Sequence, residues 1–558
     1  MLGQSSAGAL GSALPAVPPA LDQRYAISFD TGRLPTERCE VLVIGSGIAG
    51  LTAALHASRL GSVTLVTKSE VRDANTWYAQ GGIAGAVGEA DSVELHLADT
   101  LVVGQGLCSP DVVRSVVSEA ADALAELETL GVRFDRAESG EVALAREGGH
   151  SLPRVLHSGD ATGAEVQNTL SAVVRRTRGI RLVEDAFLVD LLTSSERCVG
   201  AVVMDSASGA LIGLHADAVV LATGGSGQVY RVTTNPLVAT GDGVAAAWRA
   251  GAEIADMEFV QFHPTALDSA STPKFLITEA LRGEGAHLLD CDVRRFMPPV
   301  HALAELAPRD VVSREIERVM RRCGTPHVWL DARHLGAGFL ARRFPTVWEG
   351  CREAGYDLSR DLIPVAPAAH YLIGGVRVDI DGRSSLPGLY AAGECAASGL
   401  HGANRLASNA LLEGLVGSRR IVRALERERV REEAGRVRVT MEDAAGSDPR
   451  EVRAALQLLM SRSVAMTRAL DGLNGARDGI AELAGGLGGR SLHDVETRNL
   501  LVNAWLIVAA ATAREESRGT HFRRDHPGRD DERWRVHMVW RREHDAYCQP
   551  VTDAGASR

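Results

Sequence analysis

The sequence predicts an α/β fold, α+β overall: a Rossmann-like nucleotide-binding domain interrupted by an inserted capping domain and followed by a C-terminal helical domain. Three observations predict it. From Cys39, "CEVLVIGSGIAGLTAALHASRLGSVTLVTKS" alternates a buried strand, a glycine turn, an Ala/Leu-rich helix and a second buried strand. Two further apolar strands, "ADAVVLATGGSG" (216–227) and "LPGLYAAGECA" (386–396), also end on glycines, as in a parallel sheet with its ligand at the strands' C-terminal ends. Between Met257 and Tyr371 lies a stretch of mixed Pro, His, Arg and short helical patterns that has to be an insertion between strands of that sheet.

In chain order, residues 1–35 are rich in Ala, Gly, Ser and Pro, with no Lys or Arg before Arg24. That lacks the charged start of a signal peptide and reads as a mobile tail. Residues 36–256 and 372–440 form the nucleotide-binding domain, and 257–371 the capping domain. In 441–558, "DPREVRAALQLLMSRSVAMTRALDGL" and "SLHDVETRNLLVNAWLIVAAATAREE" carry helical periodicity with Ser/Asp start signals. The apolar run "LLVNAWLIVAAATA" (500–513) is shorter than the ~20 residues of a membrane span and contains Asn503, so it reads as a core helix, with no membrane association.

Composition narrows the classes. At 558 residues, with 45% hydrophobic and 23% charged residues, this is an ordinary globular chain. A net charge of −11 argues against nucleic acid as a partner. The eight cysteines form no C-x-x-C pair, so no metal or iron–sulfur site is expected, and their scatter fits a reducing cytoplasm.

"GSGIAG" (45–50) is a G-x-G-x-x-G placed between strand and helix. Gly45 permits the tight turn, Gly47 lets backbone approach a pyrophosphate, and Gly50 lets helix and strand pack closely. The second strand closes on Thr67 and Lys68 rather than on the acidic residue of a nicotinamide site. The further glycine turns at 224–227 and 393 suit a larger ligand, FAD, crossing several strand ends.

With "YAQGGI" (78–83), "ATGG" (222–225), "TGDG" (240–243) and "AAGE" (391–394), the chain resembles the succinate dehydrogenase/fumarate reductase flavoprotein superfamily from about Cys39 to Gly417, and again at "REESRGTHFRRDHP" (514–527). The resemblance implies that FAD is held by the turn Gly45, Ser46, Gly47, Ile48, Ala49 and Gly50. It adds Lys68, the run Asn75, Thr76, Trp77, Tyr78, Ala79, Gln80, Gly81 and Gly82, and then Asp242, Glu394, Ala410 and Leu411. Members that attach FAD covalently do so through a histidine in a run like "SHTxAAQGG"; here that position is Asn75, which implies noncovalent FAD. Ala410 stands where the family often has Ser.

The insertion and its flanks concentrate polar groups in "QFHPTAL" (261–267), "ITEALRGEGAH" (277–287), "LAPRDVVSR" (306–314), "APAAHYLIGGV" (366–376) and "HGANRLASNALLEGL" (401–415). His263, Thr278, His370 and Arg405 are donors suited to a small dicarboxylate. The resemblance gives these four the substrate carboxylates, makes Arg309 the proton-transferring residue and puts Glu279 and Arg282 in its relay. A purely electrostatic role for Arg309 stays open, since arginine is nearly always protonated.

The combination of "NTWYAQGG", "REGGHS" and "GGSGQVYRVTTNP" (224–236) resembles the L-aspartate oxidase branch of that superfamily. That implies oxidation of L-aspartate to iminoaspartate, the first step of de novo NAD synthesis, with O2 or fumarate as acceptor and quinolinate synthase as functional partner. A monomer and a homodimer both stay open. Glu147, in "LAREGGHS" (144–151), is then the expected contact for the substrate's ammonium, against the simpler reading of a solvated loop carboxylate. A soluble fumarate reductase, a flavoprotein subunit of a membrane succinate dehydrogenase and a non-catalytic FAD-binding module are the alternatives.

Overall fold

The computed structural model describes residues 8–9, 16–428, 430–432, 435–441 and 446–552. Its centre is a seven-stranded sheet. Strands Ile180–Val183, Val63–Val66, Thr36–Ile44 and Leu211–Leu221 run parallel in that order. One edge of Leu211–Leu221 is shared: its C-terminal end pairs in parallel with Leu389–Ala391, and its N-terminal end pairs antiparallel with Arg197–Asp205, which in turn pairs with Ala186–Ser194. Val41, Leu42, Val43 and Ile44 are all buried, because the parallel strands are covered on both faces. The helices Ile48–Ala57 and Asn409–Glu428 pack together on one face. The predicted α/β class holds, with an antiparallel pair added.

The inserted stretch builds a separate antiparallel sheet in the order Val260–Leu267, Ile363–Leu372, Val328–Asp331, His287–Leu289. Its own core includes Leu267, Leu281, Ile316, Val319 and Phe344, with the helix Arg309–Cys323 laid across it. The pairing of Val260–Leu267 shifts register between His263 and Ala266, around Pro264, which cannot donate to the ladder.

The helices Pro449–Ser463, Leu470–Gly485 and Leu492–Ala513 follow. Leu492–Ala513 starts at a Ser491/Asp494 capping box and is buried along nearly its whole length, so the apolar run at 500–513 is a core helix. No described helix is long and apolar enough to cross a membrane. Beyond it the helical pattern ends: Val536–Trp540 and Tyr547–Pro550 pair with each other and join Ile254–Ala255 and Gly375–Arg377 in another sheet.

Two expectations are corrected. Residues 16–35 are not a mobile tail: Leu21, Ala26, Ile27 and Phe29 are buried, the amide of Ala26 donates to Asp190 Oδ2 (2.7 Å), and Phe29–Asp30 pairs with Arg438–Val439. Residues 1–7 and 10–15 lie outside the described residues. The cysteines, whose scatter reads as fitting a reducing compartment, include one disulfide, between Cys291 and Cys323. It links the turn after His287–Leu289 to the last residue of the Arg309–Cys323 helix, a proximity made by the fold and invisible in the spacing.

Candidate active site

A cleft runs from the C-terminal ends of the parallel strands to the inserted sheet; the space within it, counted out to open solvent, is about 1610 Å³. At one end the chain turns sharply after Ile44. The amide of Gly45 donates to Val66 O (2.8 Å), and Gly45 has φ +114°, with a methyl there meeting Ala222 O at 2.0 Å. A methyl on Gly50 would lie 1.8 Å from Gly45 O. Only glycine fits either place, and the Ile48–Ala57 helix is thereby brought end-on to the cleft behind Gly47. Thr76 Oγ1 accepts from the amide of Ile48 (3.0 Å), and Ser46 Oγ bonds Thr67 Oγ1 (2.8 Å).

Where a nicotinamide fold has its acidic residue, Lys68 pairs with Asp242 (2.9 Å) and with Glu496. Asn75 Nδ2 donates to Glu394 Oε2 (2.6 Å), whose other oxygen accepts from the amide of Leu372 (3.0 Å). Burial pushes the Glu394 carboxyl up to about 7. Asn75 Oδ1 and Gln80 Oε1 are buried on the cleft walls with no protein partner. Polar atoms left so are what a polar, multi-donor ligand would satisfy, so the wall fits FAD.

Nearly every residue expected at FAD lines this cleft, Ala410 and Leu411 included. Gly50 lies beneath the turn and acts through packing. Trp77 is the exception: it does not line the cleft, and its ring lies under the guanidinium of Arg72 at 5.9 Å. Tyr78 stands at the mouth, 43% exposed.

At the other end the substrate candidates His263, Thr278, His370, Arg405, Arg309, Glu279 and Glu147 converge. Arg309 opens its helix after Pro308, which places its side chain at the cleft. Its Nε donates to Glu279 Oε2 (2.6 Å), and its Nη1 donates to Gln261 Oε1 (3.2 Å). Arg405 Nη2 donates to that same Gln261 oxygen (3.0 Å), so one neutral amide holds two cations. Burial opposes charge on Glu279, but Arg309 and Arg282 outweigh it and hold the carboxyl below its ordinary value. Burial and Arg309 push His263 and His370, whose rings are 5.1 Å apart, well below the ordinary histidine value, so both are neutral. Burial lowers Arg405 to about 10. Arg282 does not reach the cleft: it stands behind Glu279 at 3.6 Å and donates to Glu305 O.

Glu147 is no solvated loop residue. It is 2% exposed, and its Oε2 accepts from Ser408 Oγ (2.6 Å). A methyl on Gly81 would touch its Oε1 at 2.7 Å. Burial first, then the neighbouring Glu279, raise its carboxyl above the ordinary glutamate value.

Four residues without a role in the sequence reading belong here. Gln261 joins the two arginines, and Ser408 holds Glu147. Thr234 Oγ1 bonds His370 Nδ1 (2.8 Å). Tyr371 lies under the Arg405 guanidinium at 4.5 Å and donates to Glu413 Oε2 (2.9 Å). All four fall inside quoted motifs, but uncharged side chains carry no signal of their own.

Comparison with known proteins agrees with this geometry. Residues 40–411 match the FAD binding domain family, and residues 453–554 match the fumarate reductase flavoprotein C-terminal family. The chain is 48% identical over 532 residues to an L-aspartate oxidase of Streptomyces coelicolor, covering 90% of this chain and 91% of that one. It is 42% identical to one of Pseudomonas aeruginosa (88% and 95%) and 41% identical to the chloroplastic enzyme of Arabidopsis thaliana (88% and 82%). Among solved structures, a quinol-fumarate reductase superposes with TM-score 0.86 at 30% identity (93% and 99%). Mycobacterium smegmatis Sdh1 gives 0.78 at 32% (93% and 95%).

Proposed function

The chain belongs to the L-aspartate oxidases, within the fumarate reductase flavoproteins, and from that premise we propose a role for each side chain of the cleft. It is a FAD-dependent enzyme that oxidises L-aspartate to iminoaspartate, a reaction that belongs to NAD biosynthesis. FAD, held without a covalent bond, supplies the two-electron acceptor that takes the substrate hydride. O2 or fumarate reoxidises it in the cytoplasm, and quinolinate synthase consumes the product.

Arg405, Thr278 and the neutral His263 and His370 donate to the two substrate carboxylates, fixing one C–H toward the flavin. Glu147 meets the ammonium. A buried carboxyl with raised proton affinity can also take a proton from that ammonium, leaving the lone pair that imine formation needs. Arg309 orients the nearer carboxylate. In fumarate reduction it gives a proton that Glu279, in contact with it at 2.6 Å, restores from the side of Arg282. A guanidinium acts as an acid only with such an anion beside it.

The observation that carries this reading is Glu147, buried among dicarboxylate donors that alone would serve succinate. The test is anaerobic bleaching of bound flavin by L-aspartate, D-aspartate, L-glutamate and succinate. L-Aspartate bleaches fastest on this reading; bleaching by succinate at the same rate would overturn it.

A further inference from the structure

Ser408, which holds Glu147, has φ +59°, a left-handed conformation that a serine keeps only where its surroundings impose it. Two buried histidines grip the residues on either side. His150 Nε2 bonds Ala407 O (2.9 Å), and His96 Nε2 bonds Asn409 Oδ1 (2.8 Å); the two rings are 6.2 Å apart.

The protons of this cluster follow from its partners. A carbonyl only accepts, so His150 carries its proton on Nε2. Its Nδ1 must then accept from Arg154 Nη1 (3.1 Å), and a second proton on the ring would point at a guanidinium. Arg154 is fully buried and is held by Asp91 (2.8 and 2.9 Å) and by Asp99. Asn409 Nδ2 donates to Thr100 Oγ1 (3.1 Å), which leaves its Oδ1 to accept from His96. Burial pushes His150 down to about 3 and His96 to about 4, in keeping with two neutral rings.

We propose that His150 is a positioning residue for recognition of the substrate ammonium, acting through Ala407 and Ser408 on Glu147. The inference rests on the reading of Glu147 given above. His150 belongs to the same loop as Glu147, so its bond to Ala407 and the Glu147–Ser408 bond are two cross-links between the same two segments, one residue apart on the far side. Without the first, Ser408 can leave its left-handed conformation and the carboxylate loses its fixed place beside Gly81. A neutral imidazole also suits the position chemically, because a cation there would compete with the substrate's ammonium for Glu147.

The test compares KM and kcat for L-aspartate oxidation and fumarate reduction in Glu147→Gln, His150→Ala, His150→Gln and His150→Asn holoenzymes, with flavin content measured in each. His150→Ala raises the aspartate KM about tenfold and leaves the fumarate KM within about twofold. His150→Gln, whose amide nitrogen still reaches Ala407 O, restores the aspartate KM, whereas His150→Asn, which reaches only Arg154, does not. Equal losses with both substrates, or no difference between Gln and Asn, overturn the proposal. If His150→Ala does not fold, the Gln/Asn pair still decides. A split in Glu147→Gln without one in His150→Ala removes His150 alone; no split in Glu147→Gln removes the underlying reading.

Discussion

Glu147→Gln keeps the shape of the side chain and its contact with Ser408 but removes the charge. For aspartate the loss is an ammonium–carboxylate bond in a site where both partners are shielded from water. A hydrogen bond to a charged group contributes about 1.5–3 kcal/mol net. That corresponds to a fall of roughly 10- to 150-fold in aspartate kcat/KM. Fumarate carries no ammonium, so its reduction changes by less than about threefold. The same substitution removes a pH limb. Burial and Glu279 raise the folded-state affinity of Glu147 for its proton, so the carboxylate form that meets the ammonium gains population as pH rises through that raised value. Aspartate kcat/KM should climb with pH over that window in the native enzyme, and the limb is missing in the Gln variant. For stability the sign is opposite: a raised carboxyl favours the fold fully below its unfolded value and progressively less as pH rises through the folded one. Substrate-free Glu147→Gln holoenzyme should therefore melt higher than the native protein on the alkaline side. Steady-state kinetics with both substrates across pH, with thermal melts, read all of this. A Gln variant losing fumarate reduction as severely as aspartate oxidation refutes the ammonium contact.

Arg309→Leu removes both the carboxylate contact and the proton path through Glu279, and should lower turnover in both directions by about 10³ or more with FAD still bound, measured by flavin absorbance and stopped-flow reduction. Gly50→Ala places a methyl 1.8 Å from Gly45 O and should abolish FAD retention on gel filtration; a flavin-replete variant would contradict the packing role of Gly50. His263 and His370 are neutral well above their lowered values, so the KM for fumarate should stay flat between about pH 6 and 8; an inflection near the ordinary histidine value of ~6.5 would mean that one of them carries charge in the resting site.

The parts legible in the sequence are those where local chemistry forces a residue. Gly45 and Gly50 could be read because no side chain fits there, and the strand end Val41, Leu42, Val43 and Ile44 because a parallel strand covered on both faces is apolar on both. The substrate end was legible only through resemblance. Glu147 meets Ser408 across 261 residues and Gln261 meets Arg405 across 144, distances at which spacing says nothing about contact. Gln261 gives no sign of its role in the sequence, because an amide shows no charge to pair. Residues 16–35 have the composition of a linker, yet Leu21 packs into the main core, and Ala26, Ile27 and Phe29 pack with Phe187, Val189 and Leu192. Cys291 and Cys323, 32 residues apart in no motif, are brought to a Cα separation of 6.0 Å only by the folding of the inserted sheet.

The two arginines joined by Gln261 come from different layers. Arg309 opens a helix of the inserted stretch, while Arg405 lies outside it, in the loop that leads into the Asn409–Glu428 helix. A dicarboxylate held by both is thus a tie between two bodies of the protein, and letting go of product means loosening one body from the other. Turnover should then carry a mechanical component: it would slow as solvent viscosity rises, and bound dicarboxylate would slow amide hydrogen exchange in the helix that Arg309 opens as far as its last turn at Cys323, well beyond the one residue of it that the ligand touches.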